Sequence, residues 1–104
     1  MIARIWDGTT RASDAETYWH YLQETGVREC RETPGNRGVQ VLRRLDGDRA
    51  HFRFTSLWES TDAIRAFAGE DIEKAVYFPK DRQYLLELDP HVRHFEVLEP
   101  ASSK

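Results

Sequence analysis

A hairpin near the middle of the chain is the feature that most restricts its fold. The Asp46-Gly47 pair is the strongest hairpin signal in the sequence, because glycine adopts the positive φ that a tight two-residue turn needs. Side chains alternate in character on both sides of this pair, which predicts strands over residues 39–45 and 51–58. The returning strand directs one set of side chains to the same face: Phe52, Phe54, Ser56 and Trp58.

The chain before the hairpin predicts one strand and one helix. Residues 1–6 are typical of a short strand, and residues 7–10 (Asp-Gly-Thr-Thr) of a turn. Ser13 and Glu16 have the spacing of a capping box, which satisfies backbone amides at a helix start. We expect Gly26 to end this helix, with a loop over residues 27–37.

The chain after the hairpin repeats the same order of elements. Ser60 is a good N-cap for a second helix and Gly69 a good end for it. A further helical turn is predicted over residues 70–78, stopped by Pro79, and a last strand over residues 92–98. The predicted order is β-α-β-β-α-β, which indicates an α+β fold of ferredoxin-like type with an antiparallel sheet and both helices on one face.

The second face of this sheet predicts a homodimer. The strand after the hairpin presents there a mixture of polar and apolar residues, namely His51, Arg53, Thr55 and Leu57. The last strand is also apolar on both sides. Two helices can cover only one face, so a second copy of the chain is the simplest cover for the other. The twelve Phe, Trp and Tyr residues also suggest aromatic side chains at an interface or a cavity, although a small core can use large residues for packing alone.

Length and charge limit the remaining possibilities. A chain of 104 residues is expected to form one domain, over residues 1–99, followed by a frayed tail at 100–104. A net charge of −3 gives no general attraction to nucleic acid or to an anionic membrane. No signal peptide or membrane span is recognised, so a cytoplasmic location is expected. Cys30 is the single cysteine, which excludes an internal disulfide.

Three segments resemble the antibiotic-biosynthesis monooxygenase (ABM) family. They are residues 56–60 (Ser-Leu-Trp-Glu-Ser), residues 63–67 (Ala-Ile-Arg-Ala-Phe) and residues 92–97 (Val-Arg-His-Phe-Glu-Val). The resemblance extends over about residues 1–99 and implies a dimeric α/β barrel, in which two ferredoxin-like subunits join their sheets. The family includes cofactor-free monooxygenases, haem-degrading enzymes and small proteins of no known role, so fold does not decide function.

The haem-degrading branch of this family is not matched at its functional positions. Those enzymes carry Asn on the first strand, Trp on the second helix and a His ligand beyond it. The resemblance places Trp6, Phe67 and Tyr77 at these positions. Haem degradation is therefore the less favoured alternative, and no cofactor is expected.

The cofactor-free branch implies a dry pocket that binds a small aromatic or quinone-like compound. We expect the pocket between the helices and the sheet, with walls formed by Trp6, Trp58, Phe67 and Tyr77. His94 is the candidate catalytic base, since the unperturbed pKa of histidine is ~6.5, and Tyr77 is the candidate hydrogen-bond donor. Two alternatives stay open: both residues can have structural roles, and the protein can be a non-catalytic ligand-binding or accessory dimer.

Metal binding is not predicted. His91 and His94 form a His-x-x-His pattern, but residues three apart on a strand point to opposite faces.

Arg4 and Arg82 are further polar candidates for the pocket. Cys30 has no base placed near it by sequence and is expected to be a structural thiol.

Overall fold

The computed structural model describes residues 1–101, which form an antiparallel sheet of four strands with helices packed on one face. The strand order is β2-β3-β1-β4. The strands are β1 (Ile2–Arg11), β2 (Asn36–Asp46), β3 (Arg49–Trp58) and β4 (Arg93–Glu96). The helices are α1 (Ala15–Leu22), α2 (Arg28–Glu32), α3 (Thr61–Ala68) and α4 (Asp81–Tyr84). The predicted α+β, ferredoxin-like fold is confirmed.

The central hairpin forms as the sequence predicts. Gly47 has a φ of 61°, which a residue with a side chain rarely adopts, and Asp46 pairs with Arg49 across the turn. Alternation along β3 then buries one face of the strand against the helices. The buried side chains are Ala50, Phe52, Phe54, Ser56 and Trp58.

The first strand is longer than predicted, because residues 7–10 do not form a turn. β1 continues to Arg11 and pairs with β3 along its whole length. Gly8 lies under the indole ring of Trp6, two residues earlier on the same face. A Cβ atom at Gly8 would lie 2.5 Å from Cζ2 of Trp6, which is closer than real atoms approach. The Asp-Gly pair therefore serves side-chain packing here and not a turn.

The first helical segment is also longer than predicted. Gly26 does not end it, because a π-helical turn over Gln23–Val27 joins α1 directly to α2. The predicted loop is thus helical up to Glu32. At the other end, Ser13 lies in a short 3₁₀ turn, Ala12–Asp14, and neither this turn nor α1 begins with a side-chain cap, so the predicted capping box does not form. Gly26 is buried instead, and a Cβ there would lie 3.2 Å from the Phe54 ring.

Helix α3, the second helix predicted from the sequence, begins and ends where it was expected. The Ser60 hydroxyl accepts a hydrogen bond from the Ala63 amide at 3.1 Å, and Gly69 ends the helix with a φ of 92°. The helical turn predicted over residues 70–78 is absent, since this segment runs as irregular backbone to α4. The last strand is shorter than predicted and covers Arg93–Glu96.

The helices cover one face of the sheet and leave the other face open. The open face carries partly buried apolar side chains at its centre, including Ile5 and Leu57, and more exposed ones at its edges, where Leu42 is 49% and Phe95 48% exposed. Among the helices of residues 1–101, none has both the length and the apolar composition that crossing a membrane requires. Of the predicted tail, residues 102–104 lie outside the described part of the chain.

Candidate functional site

A small cavity of about 50 Å³ lies between the helical layer and the covered face of the sheet. The strands contribute even-numbered residues, because β1 and β3 pair with Arg4 opposite Ser56 and Trp6 opposite Phe54. The π-helical turn brings Gly26 to the same place. The lining residues are Arg4, Trp6, Tyr18, Leu22, Gly26, Cys30, Phe54, Ser56, Phe67, Val76, Tyr77, Phe78 and Asp81.

Aromatic rings form most of the wall. The rings of Trp6 and Tyr77 meet edge to face, with centroids 6.2 Å apart. The indole Nε1 of Trp6 donates to the Tyr77 hydroxyl at 3.2 Å, and that hydroxyl donates to the backbone oxygen of Asp89 at 2.5 Å. Burial raises the pKa of Tyr77 above its usual value, so the phenol is neutral at physiological pH.

A second aromatic pair stacks at the base of the cavity. The rings of Phe67 and Trp58 are 5.7 Å apart and nearly parallel. Trp58 is fully buried behind Phe67 and does not line the cavity. Its indole Nε1 donates to the Ser56 hydroxyl at 2.9 Å, so the pair supports the floor of the site.

The charged group in the floor is the guanidinium of Arg4, which is only 4% exposed. It donates to the backbone oxygen of Ile72 and, through Nη2, to that of Lys74 at 2.9 Å. The guanidinium also lies over the Phe67 ring, 5.8 Å from its centroid. Burial lowers the pKa of Arg4, but an arginine in a protein stays protonated.

His94 lies next to Arg4 and outside the lining of the cavity. Its Nε2 atom is 3.2 Å from Nη1 of Arg4. A guanidinium can only donate, so Nε2 accepts this hydrogen bond and the ring is neutral. Burial and the charge of Arg4 both lower the pKa of His94, which keeps the ring neutral at pH 7.

The remaining titratable groups of the lining are held by neighbours. Burial raises the pKa of the Cys30 thiol to about 12, although a hydrogen bond to Ser56 and the nearby Arg4 act against this. Asp81 accepts from the Tyr18 hydroxyl at 3.0 Å and from the Phe78 amide at 2.6 Å. Burial raises the pKa of the Asp81 carboxyl above its usual value, and these two hydrogen bonds act against that rise.

The structure thus brings together four of the residues named from the sequence, since the three aromatic residues Trp6, Phe67 and Tyr77 share one cavity with Arg4. Trp58 lies behind Phe67, and His94 lies behind Arg4. Arg82 is exposed and lines nothing. The sequence reasoning missed the other polar members of the lining, Tyr18, Cys30, Ser56 and Asp81, of which only Ser56 had a usable signal in the alternation of β3.

Metal coordination finds no support in the described part of the chain. Within residues 1–101 there is no group of three or more His, Cys, Asp or Glu side chains that could hold a metal ion. His91 and His94 do not meet at a common site: His91 is exposed, while His94 turns towards Arg4.

Comparison with known proteins decides the family. The sequence profile described as "Antibiotic biosynthesis monooxygenase" matches residues 10–96. The chain belongs to this family. None of the curated proteins matches it in sequence.

Solved structures share the ABM fold at low sequence identity. The haem-degrading protein MhuD of Mycobacterium tuberculosis, solved with two haems in its active site, is 19% identical with a TM-score of 0.60, over 98% of this chain and 100% of that one. A Bacillus cereus protein, described provisionally as an antibiotic biosynthesis monooxygenase, is 14% identical with a TM-score of 0.66, over 99% and 98%. Rv0793 of M. tuberculosis is 21% identical with a TM-score of 0.59, over 97% and 98%. At these identities the likeness establishes the ABM fold alone.

Proposed function

We propose that this ABM-family protein is a cofactor-independent monooxygenase that oxidises a small phenolic or quinone-like compound. The observation that carries the proposal is the cavity wall of Trp6, Phe67 and Tyr77, which lies against the sheet beside a buried cation. Aromatic walls offer stacking surfaces for a flat ring, and the Tyr77 hydroxyl offers a hydrogen bond. A site shielded from water also protects a reactive substrate anion.

The proposed reaction balances without an added reductant. A phenol with a free para position reacts with one dioxygen to give the para-quinone and one water. One oxygen atom enters the ring carbon, the other leaves as water, and the substrate supplies all four electrons. The protein therefore needs to bind the ring, support its deprotonation and admit dioxygen.

The assay is oxygen uptake with a panel of dihydroxy-aromatic compounds, without added flavin or metal. We expect Tyr77→Phe to lower the rate, because it removes the hydroxyl from the wall. Arg82→Gln is the matched control, since Arg82 is exposed and lines no part of the cavity. Uptake by none of the phenols with the wild-type protein would reject the monooxygenase proposal.

We propose His94 as the base of this reaction, and its contact with Arg4 defines how to test it. Loss of a general base costs ~10²–10⁴-fold in rate, and neither Ala nor Gln can replace it. A histidine that only positions Arg4 can be replaced by Gln, whose side-chain oxygen also accepts a hydrogen bond. Equal losses in His94→Ala and His94→Gln support the base, whereas recovery in His94→Gln assigns positioning.

A non-catalytic dimer, either ligand-binding or accessory, is the second candidate, and the small size of the cavity favours the accessory role. About 50 Å³ is far below the ~300–1,000 Å³ of established ligand pockets, so a substrate has to displace part of the wall. Binding of aromatic compounds without oxygen uptake would support the ligand-binding role, whereas neither binding nor uptake would support the accessory role.

We also propose that the chain forms a homodimer through the open face of its sheet. This face is apolar near Ile5 and Leu57, and the acidic group on the same strand as Ile5, Asp7, is already paired with Arg53 at 2.8 Å and Arg93 at 3.0 Å. A stable interface of this kind buries more than ~1,000 Å².

Light scattering tests the dimer directly. We expect a mass of about twice the 12.2 kDa of one chain. Leu57→Asp should shift the protein towards the monomer, because it places a charge in the interface. Ala66→Asp adds the same charge on the exposed side of α3 and should leave the mass unchanged. A wild-type mass of 12.2 kDa at micromolar concentration would contradict the proposal.

A further inference from the structure

The guanidinium of Arg4 is a buried positive charge without a negative partner. Arg4 lies on β1, the strand between β3 and β4, and is only 4% exposed. Within residues 1–101, no carboxylate lies within 4.0 Å of it. Moving a charge out of water is costly, and buried charges in proteins are generally paired. An uncompensated one therefore needs an explanation.

The groups around Arg4 accept hydrogen bonds from its guanidinium or pack against it, but none of them carries a negative charge. The backbone oxygens of Ile72 and Lys74 are dipoles, the Phe67 ring is uncharged, and His94 accepts as a neutral imidazole. The other titratable neighbour is Cys30 on α2, and burial raises its thiol pKa to about 12, so it carries no negative charge near pH 7.

The other charged groups near the site make no ion pair with Arg4. Glu73 acts on His94 from the irregular segment, and Asp81 lines the cavity from α4. Asp81 is held by the Tyr18 hydroxyl and the Phe78 amide, and it forms no ion pair with Arg4. Arg4 thus keeps its charge without a carboxylate in direct contact.

We propose that Arg4 is the ligand-recognition residue of this cavity and that the ligand binds as an aromatic anion, with its ionised phenol oxygen at the guanidinium. The inference rests on the proposed function for the choice of a phenol. The cavity is lined by Arg4 together with the Phe67 and Tyr77 rings, so a ligand with its oxygen at Arg4 lies against aromatic walls once it has displaced part of them. Within residues 1–101, Nε of Arg4 makes no hydrogen bond, and an ionised oxygen is the acceptor that a guanidinium binds most strongly.

The chemical consequence is that binding favours loss of the phenol proton. The O–H bond breaks, the electron pair stays on oxygen, and the proton passes to the buffer or to a base. The protein then holds the electron-rich phenolate that reacts with dioxygen, and Arg4 stabilises this anion without taking a proton itself.

A chromophoric phenol tests the inference without any turnover. 4-Nitrophenol changes its absorption spectrum on ionisation, and it can be titrated with pH while bound to the full-length protein. We expect its apparent pKa to fall by at least one unit on binding to the wild type, a tenfold preference for the anion. Arg4→Gln should abolish the shift, and Arg4→Lys should retain part of it.

A second measurement covers the case in which Arg4→Gln does not fold, since Arg4 also holds the Ile72 and Lys74 carbonyls. The wild-type protein is titrated with 4-nitrophenol and with nitrobenzene, the neutral analogue, at a pH where the phenol is ionised. We expect at least tenfold tighter binding of 4-nitrophenol. The Arg82→Gln variant should behave as wild type in both experiments.

The outcomes separate this inference from the proposed function. An unshifted pKa with bound phenol, or equal binding of nitrobenzene, overturns the role of Arg4 and leaves oxygen uptake as an independent question. Arg4-dependent binding of nitrophenolate without uptake of oxygen by any phenol supports the inference and rejects the monooxygenase. Selective binding of benzoate with no binding of nitrophenolate overturns the assignment to a phenol oxygen, as does binding of neither.

Discussion

Gly8→Ala is expected to destabilise the protein through a single side chain, the indole of Trp6. The added methyl would lie 2.5 Å from Cζ2 of the indole and closer to Cη2, so the ring has to move off the strand. Overpacking of this kind costs ~1–3 kcal/mol. Alanine in a strand interior recovers ~0.5–1 kcal/mol relative to glycine, and the Gly8 backbone has no positive φ that would oppose it.

The middle of these two ranges leaves an expected net loss of about 1 kcal/mol, and the hydrogen bond from Trp6 to Tyr77 should be disturbed. For a domain of about this size, 1 kcal/mol shifts the melting temperature by ~4–8 °C. Thermal unfolding followed by circular dichroism can measure such a change. Binding of 4-nitrophenol should weaken in parallel, because Trp6 lines the cavity.

A double-mutant cycle isolates the cause. In a Trp6→Ala background the space above Gly8 is empty, so Gly8→Ala should be neutral or slightly stabilising there. The coupling between the two positions should reach about 1 kcal/mol or more. An equal loss of stability from Gly8→Ala in both backgrounds would refute the packing argument, and no loss in the wild-type background would do the same.

Four further outcomes are expected. Tyr77→Phe should lower stability by ~0.5–1.5 kcal/mol, measured by urea unfolding, because it removes the hydrogen bonds with Trp6 and the Asp89 carbonyl. Cys30 should react with a thiol reagent at pH 8 only after unfolding, since its thiol is buried and its pKa is raised to about 12. The pKa of His94 is lowered by burial and by Arg4, so its contribution to stability is present above pH ~6.5 and is lost as the pH falls through its folded-state pKa. When the pH is lowered from 7.5 to 5, the melting temperature should therefore fall less for His94→Gln than for the wild type. Haemin should not bind at submicromolar concentration. Binding in that range, followed by loss of the Soret band when a reductant is added, would instead show haem degradation.

Local patterns predicted the fold well where turn chemistry and packing agree. The Asp46-Gly47 hairpin and the ends of α3 at Ser60 and Gly69 are decided by a few neighbouring residues, so the sequence alone identifies them. Gly8 and Gly26 were assigned to a turn and to a helix end, and both assignments were wrong. At these positions glycine makes room for an aromatic ring, and the ring that needs the room is known only from the tertiary structure.

In the candidate site, too, local patterns predict some of the positions and the tertiary structure decides the others. Alternation along β1 and β3 is sufficient to place Arg4, Trp6 and Ser56 on one face of the sheet. It does not show which strand lies beside β1 at its other edge. The contact between His94 and Arg4 arises from the register of β4, where these two residues are paired. A four-residue strand with exposed neighbours carries too little pattern to fix that register from sequence.

The wrong helix prediction over residues 70–78 has a physical connection with Arg4. In a helix, the Lys74 carbonyl would accept from the Phe78 amide four residues later. In the structure the Phe78 amide donates to Asp81 instead, and the Lys74 carbonyl accepts from Arg4, as does that of Ile72. Carbonyls of an irregular segment have no helical or sheet partner of their own, so they are available to solvate a buried guanidinium. The irregular segment therefore supplies uncharged acceptors that hold the guanidinium in the floor of the cavity, whereas a carboxylate in the same place would have cancelled its charge.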